Sequence, residues 1–118
     1  MLGSLFGFFG VALGAFAAHG LKNILPPEML AVFETAVRYQ MYHAFAIIVS
    51  AFLAETYHGA AYAGRLFGIG ILLFSGSLYA LSITGIVWFG MITPVGGVCF
   101  LGGWTALFIS ALRSTVQN

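Results

Sequence analysis

The hydrophobic pattern divides the chain into four long apolar stretches separated by short polar interruptions. Residues 1–21 carry no charged side chain, and about 20 apolar residues cross a bilayer as a helix. A first span is therefore expected over residues 2–18. Within it Gly3, Gly7, Gly10, Gly14 and Ala17 recur at alternating spacings of four and three, a seam where another helix's backbone can approach closely. A signal peptide is the rival reading, because Ala15-Phe16-Ala17 resembles a cleavage site, but no positively charged n-region precedes the apolar run. His19-Gly20-Leu21-Lys22-Asn23 ends the span, with glycine suited to the C-cap and lysine to the negative end of the helix dipole.

Pro26-Pro27-Glu28 restarts a helix, with proline at its first position and a carboxylate in its first turn. Met29, Val32, Phe33, Ala36 and Val37 then fall on one face, with Glu28, Ala31, Glu34, Thr35 and Arg38 opposite. This pattern predicts an amphipathic helix in the membrane interface over residues 27–37. The second span follows without a breaker. Between His43 and Glu55 lie only 11 residues, about 16 Å of helix, roughly half the hydrocarbon thickness. The span must therefore draw on residues outside that interval, and 38–57 is expected. Gln40 and His43 then lie inside the membrane and Arg38 at its edge, with a bend near Arg38 joining the interfacial and spanning parts.

From Arg65 to Arg113 the chain carries no charge for 47 residues, too many for one span and suited to a hairpin of two. Residues 56–65 read as the turn before it. The third span is expected over 66–84 and the fourth over 94–113. Gly85, Gly90 and Thr93-Pro94 punctuate the turn between them. Trp88 and Phe89 are placed there for an interfacial aromatic belt, and Thr93 for an N-cap. A second seam, Gly96, Cys99, Gly103, Ala106 and Ser110, runs along the fourth span. The expected fold is a single all-α membrane domain over residues 1–118: an antiparallel four-transmembrane-helix bundle with a short interfacial amphipathic helix before the second span.

Composition agrees with a lipid solvent. The 118 residues are 61% hydrophobic and 6% charged, where a soluble domain has about a quarter of its residues charged. A net charge of +1 gives no basic field for nucleic acid. The single Cys99 forms no internal disulfide and leaves the redox compartment undetermined. An even number of spans puts both termini on one side. Arg65 and Arg113 then oppose Lys22 and Arg38, a tie that discounting Arg38 as an intramembrane residue resolves toward cytoplasmic termini.

Candidate chemistry concentrates in Glu34, Arg38, Tyr39, Gln40 and His43, with Ser75 and Tyr79 (and Ser82 beyond them) forming a polar stripe on the third span. A polar column in an apolar helix is the default place to look for function. Glu34 and Arg38, one turn apart, read either as a polar binding or gating pair or as a solvated interfacial pair. His43 reads as a hydrogen bond to a neighbouring helix, a proton site or a polar-ligand site. No His, Cys or carboxylate lies at i+3 or i+4 from His43, so no metal is expected. His19 and His58 sit at span ends, so no haem or other cofactor is expected either. No paired carboxylates or nucleophile–base pair points to catalysis. Length and register predict that the second and third spans are antiparallel neighbours. His43 is then level with residues 77–79, and a hydrogen bond joins His43 or Gln40 to the Ser75–Tyr79 stripe.

Several strings taken together resemble one family. They are Gly14-Ala15-Phe16-Ala17-Ala18-His19-Gly20-Leu21, Thr35-Ala36-Val37-Arg38-Tyr39-Gln40-Met41-Tyr42-His43-Ala44, Leu73-Phe74-Ser75-Gly76-Ser77-Leu78-Tyr79, Thr93-Pro94-Val95-Gly96-Gly97 and Gly102-Gly103-Trp104. Across nearly the whole chain these look like the domain of unknown function 423 family of small bacterial inner-membrane proteins. The resemblance implies a multi-spanning protein of the bacterial inner (plasma) membrane and no catalytic residues. The expected function is non-enzymatic, a packing, accessory or lipid-interacting subunit. The alternative is a small transporter or channel with Glu34, Arg38 and His43 along its path. Expected partners are the lipid bilayer and a second copy or another membrane protein.

Overall fold

A computed structural model describes residues 1–117. It is all-helical among the described residues, in the order α1 (Leu2–His19), a 3-10 turn (Leu21–Asn23), α2 (Pro27–Leu53), α3 (His58–Gly70), a π-turn (Ile71–Ser75), α4 (Gly76–Thr84), a second 3-10 turn (Val87–Met91) and α5 (Thr93–Gln117). α3, the π-turn and α4 follow one another without a break, so four rods result. Leu2–Asn23, His58–Thr84 and Val87–Thr115 are long and apolar enough to cross a membrane. α2 is not among them, because Arg38, Gln40 and His43 interrupt its apolar run.

α2 differs from expectation at both ends. Residues 27–37 are not a separate interfacial helix: α2 runs through Arg38 without a break, as expected of a segment holding no glycine or internal proline. It stops at Leu53, with Ala54, Glu55 and Thr56 in a turn. The third rod begins at His58, eight residues before the expected start. Gly59, Ala60, Ala63 and Gly64 suggested a turn in the sequence, yet they are packing residues. Ala60 and Ala63 are fully buried, and a Cβ on Gly59 would strike Ser110 of α5.

Small residues also set the spacing of the outer rods. α1 packs on α2 and α5 on α3. A Cβ on Gly3 would meet Ile48 and the Ala44 carbonyl, on Gly10 Met41, and on Gly14 Val37; Ala17 is buried against Leu21 and Phe33. Gly7 departs from the seam, since a Cβ there meets nothing. On α5, Gly96 lies against the Phe74 backbone and Gly103 against the Phe67 ring, so the second seam faces the third rod. The sharpest reversal is at Gly85, φ 69°, which caps α4 through its N–H to the Leu81 carbonyl, a conformation that favours glycine. Thr93 is turned from the expected capping role: its hydroxyl pairs with that of Ser77 at 2.6 Å.

Candidate functional site

The inner face of α2 is a heptad-like row, Phe33, Ala36, Gln40, His43, Ile47 and Ser50, all buried. An α-helix shows one face at this spacing, so Gln40 and His43 enter the protein together. Glu34, Arg38 and Tyr42 stand one turn apart on the opposite, exposed face, and Tyr39 sits at the boundary. The sequence-derived column is therefore two columns. Gln40, His43, Ser75 and Tyr79 come together in the interior; Glu34 and Arg38 do not join them.

Gln40 ties three rods. Its Nε2 donates to the Phe6 carbonyl of α1 at 2.8 Å, and its Oε1 accepts from the Tyr79 hydroxyl of α4 at 2.8 Å. The hydrogen bond expected between this residue and the third-span stripe is thus present. Gly10 lies beside the amide, where a Cβ would strike Met41 and reach ordinary contact, 3.5 Å, with Gln40 Nε2. Ser75 donates to the Ala36 carbonyl at 2.7 Å, a second bridge between α2 and the third rod at the end of the π-turn. Ser82 bonds within its own helix, to the Tyr79 carbonyl.

His43 is surrounded by aromatic rings that the sequence reading did not assign to it. Its ring stacks on Phe100 with centroids 3.5 Å apart and planes 7° from parallel, and Phe67 lies 5.4 Å away. Nδ1 is 2.7 Å from the Tyr39 carbonyl, and Trp104 Nε1 is 3.2 Å from Nε2. A carbonyl only accepts and an indole N–H only donates. The ring is consequently the neutral Nδ1–H tautomer, donating at one nitrogen and accepting at the other. His43 is level with Phe67 rather than with residues 77–79, more than two turns from the expected register, because the third rod starts at His58. One signal for Trp104 was available: it stands in mid-span, away from the interfaces where tryptophan concentrates.

Among the described residues no buried side-chain nitrogen or oxygen lacks a hydrogen-bond partner, and no cluster of three or more His, Cys, Asp or Glu could hold a metal. Beside His43 a lateral groove of about 600 Å³ opens between α2 and α5. Tyr39, Tyr42, Phe74, Val98, Leu101 and Trp104 wall it, and Gly97 lies in it. A Cβ on Gly97 would come no nearer than 3.9 Å to Phe74, so the groove has room for more atoms.

Long apolar helices joined by short turns, with their intramembrane polar groups paired inside the protein, define a small helical membrane protein. The chain matches the family described as "Protein of unknown function (DUF423)" over residues 13–97. It is 46% identical to the UPF0382 membrane protein YwdK of Bacillus subtilis, over 96% of this chain and 94% of that one. A UPF0382 membrane protein of Haemophilus influenzae is 47% identical over 94% and 90%, and one from Staphylococcus haemolyticus 42% over 96% and 93%. The chain belongs to the DUF423 family of membrane proteins. No solved structure matches it.

Proposed function

We propose that this protein is a four-span, non-enzymatic subunit of the bacterial inner membrane that holds a lipid chain in the groove between α2 and α5. Its termini face the cytoplasm. The carrying observation is that Gln40, His43, Ser75, Tyr79 and Trp104 satisfy one another or the backbone, while the groove beside them is open and walled by aromatic and aliphatic side chains. A polar solute would have to break those bonds; an acyl chain would not. α2 serves as the second span on this reading. Its 27 residues reach about 40 Å, enough for the first turns to lie in the interface while the rest crosses.

Native mass spectrometry after release from nanodiscs of phosphatidylethanolamine and phosphatidylglycerol tests this reading. A retained lipid is expected on the native chain and lost from Gly97→Leu, which fills the groove. Equal lipid retention by both chains would overturn it. The transporter reading gains instead if a proteoliposome flux exists and disappears in His43→Leu.

A further inference from the structure

The outer face of α2 poses a separate problem. Glu34, Arg38, Tyr42, Phe45, Val49 and Phe52 are all exposed along it, with Phe45 63% and Phe52 72% exposed. The depth of the two charges follows from α1. Its 18 residues span about 27 Å, roughly one hydrocarbon thickness. Gly14 of α1 faces Val37 and Ala17 packs against Phe33. Arg38 is thus level with Gly14, roughly 8 Å inside the His19 end of the span, with Glu34 one turn nearer the edge. Charged side chains at such depth pair with one another or line a protein interior. Here they point out of the molecule.

We infer that this face of α2 docks a second copy of the chain, related by a two-fold axis along the membrane normal. In such a parallel pair identical residues lie level across the axis, and a long side chain reaches one turn along its neighbour. Glu34 then meets the partner's Arg38, and Arg38 the partner's Glu34. A carboxylate and a guanidinium four residues apart on one face are self-complementary under a two-fold rotation, so the same pairing is made twice. Phe45, Val49 and Phe52 extend the contact toward the other side of the membrane. The charge pattern argues for a second copy over a different protein, which would need an inverted pattern of its own. The surface meets the lipid groove at Tyr42, but its test reads the charges at Glu34 and Arg38, which lie outside the groove lining, so the two readings stand or fall separately.

Charge reversal in mixed populations tests the inference. Chains carrying donor or acceptor dyes on a cysteine appended after Asn118, in a Cys99→Ser background, are reconstituted in phosphatidylethanolamine–phosphatidylglycerol vesicles. The unmodified face should give energy transfer that falls on dilution with lipid. Glu34→Arg places two cations on each face and Arg38→Glu two carboxylates. Each variant alone should associate roughly tenfold more weakly or less. An equal mixture of the two should recover the original association, because every contact is again between opposite charges. A pairing confined to one helix predicts no recovery, since each chain keeps its like-charged pair. A chain that fails to fold is not rescued by mixing, so recovery also controls for folding. Absence of transfer in the native chain, single variants that associate normally, or a mixture without recovery would each overturn the inference.

Discussion

The inner and outer faces of α2 carry similar numbers of polar side chains and treat them in opposite ways. On the inner face Gln40, His43 and Ser50 are each at most 4% exposed and each has a named partner. On the outer face Glu34, Arg38 and Tyr42 are exposed. The inner residues are neutral hydrogen-bonding groups whose needs one chain can meet. A guanidinium and a carboxylate demand more, and the single chain leaves both exposed. A polar residue in a membrane helix is thus informative through the face it occupies as much as through its chemistry.

Substitutions on the two faces should separate accordingly. The largest effect is expected at Gly10, behind Gln40. Gly10→Leu drives a side chain into Met41, beside Gln40, and should lower stability in detergent by about 3 kcal/mol, whereas Gly7→Leu, where a Cβ meets nothing, should leave the thermal midpoint unchanged. Equal effects would erase the distinction between the two sides of α1.

Next comes the Gln40 bridge. Gln40→Leu removes two inter-helix bonds and orphans the Tyr79 hydroxyl, and should lose about 2 kcal/mol. Tyr79→Phe removes one bond and should lose about 1 kcal/mol. In a double-mutant cycle the two should be strongly non-additive; additive losses would mean that the pair does not meet in the membrane. Smallest of all, Glu34→Gln should leave the midpoint of the isolated chain unchanged, because its carboxylate makes no buried contact. A large loss there would place Glu34 inside.

Much of the architecture was legible because lipid imposes long apolar runs, and because proline and glycine mark the turns near Pro27 and Gly85. A bond from His43 or Gln40 to the Ser75–Tyr79 stripe was legible too, since few polar partners exist at that depth, but not which of the two residues makes it. What escaped had physical reasons. Gly59 to Gly64 carry turn-forming residues, and only the approach of α5 shows that their smallness serves packing. The π-turn leaves no mark in Ile71-Leu72-Leu73-Phe74-Ser75. Periodicity from Pro27 placed Glu34 and Arg38 opposite Phe33 and Ala36, yet proximity in sequence grouped them with His43, which a helix of 3.6 residues per turn puts on the other face. The Phe100 and Trp104 contacts to His43 join residues about 60 apart, and no local pattern announces them.

The central claim is that the polar groups on the inner face of α2 are consumed by the protein itself, and His43 reports on it most directly. Nitrogen NMR of the histidine-labelled protein in bilayers, with His19→Gln and His58→Gln to leave one signal, reads which ring nitrogen carries the proton. The account predicts a neutral ring protonated at Nδ1, with an Nε2 shift that changes when Trp104→Phe removes the indole donor. A ring protonated at Nε2, or one indifferent to Trp104, would contradict it and return His43 to the list of groups free to bind a ligand.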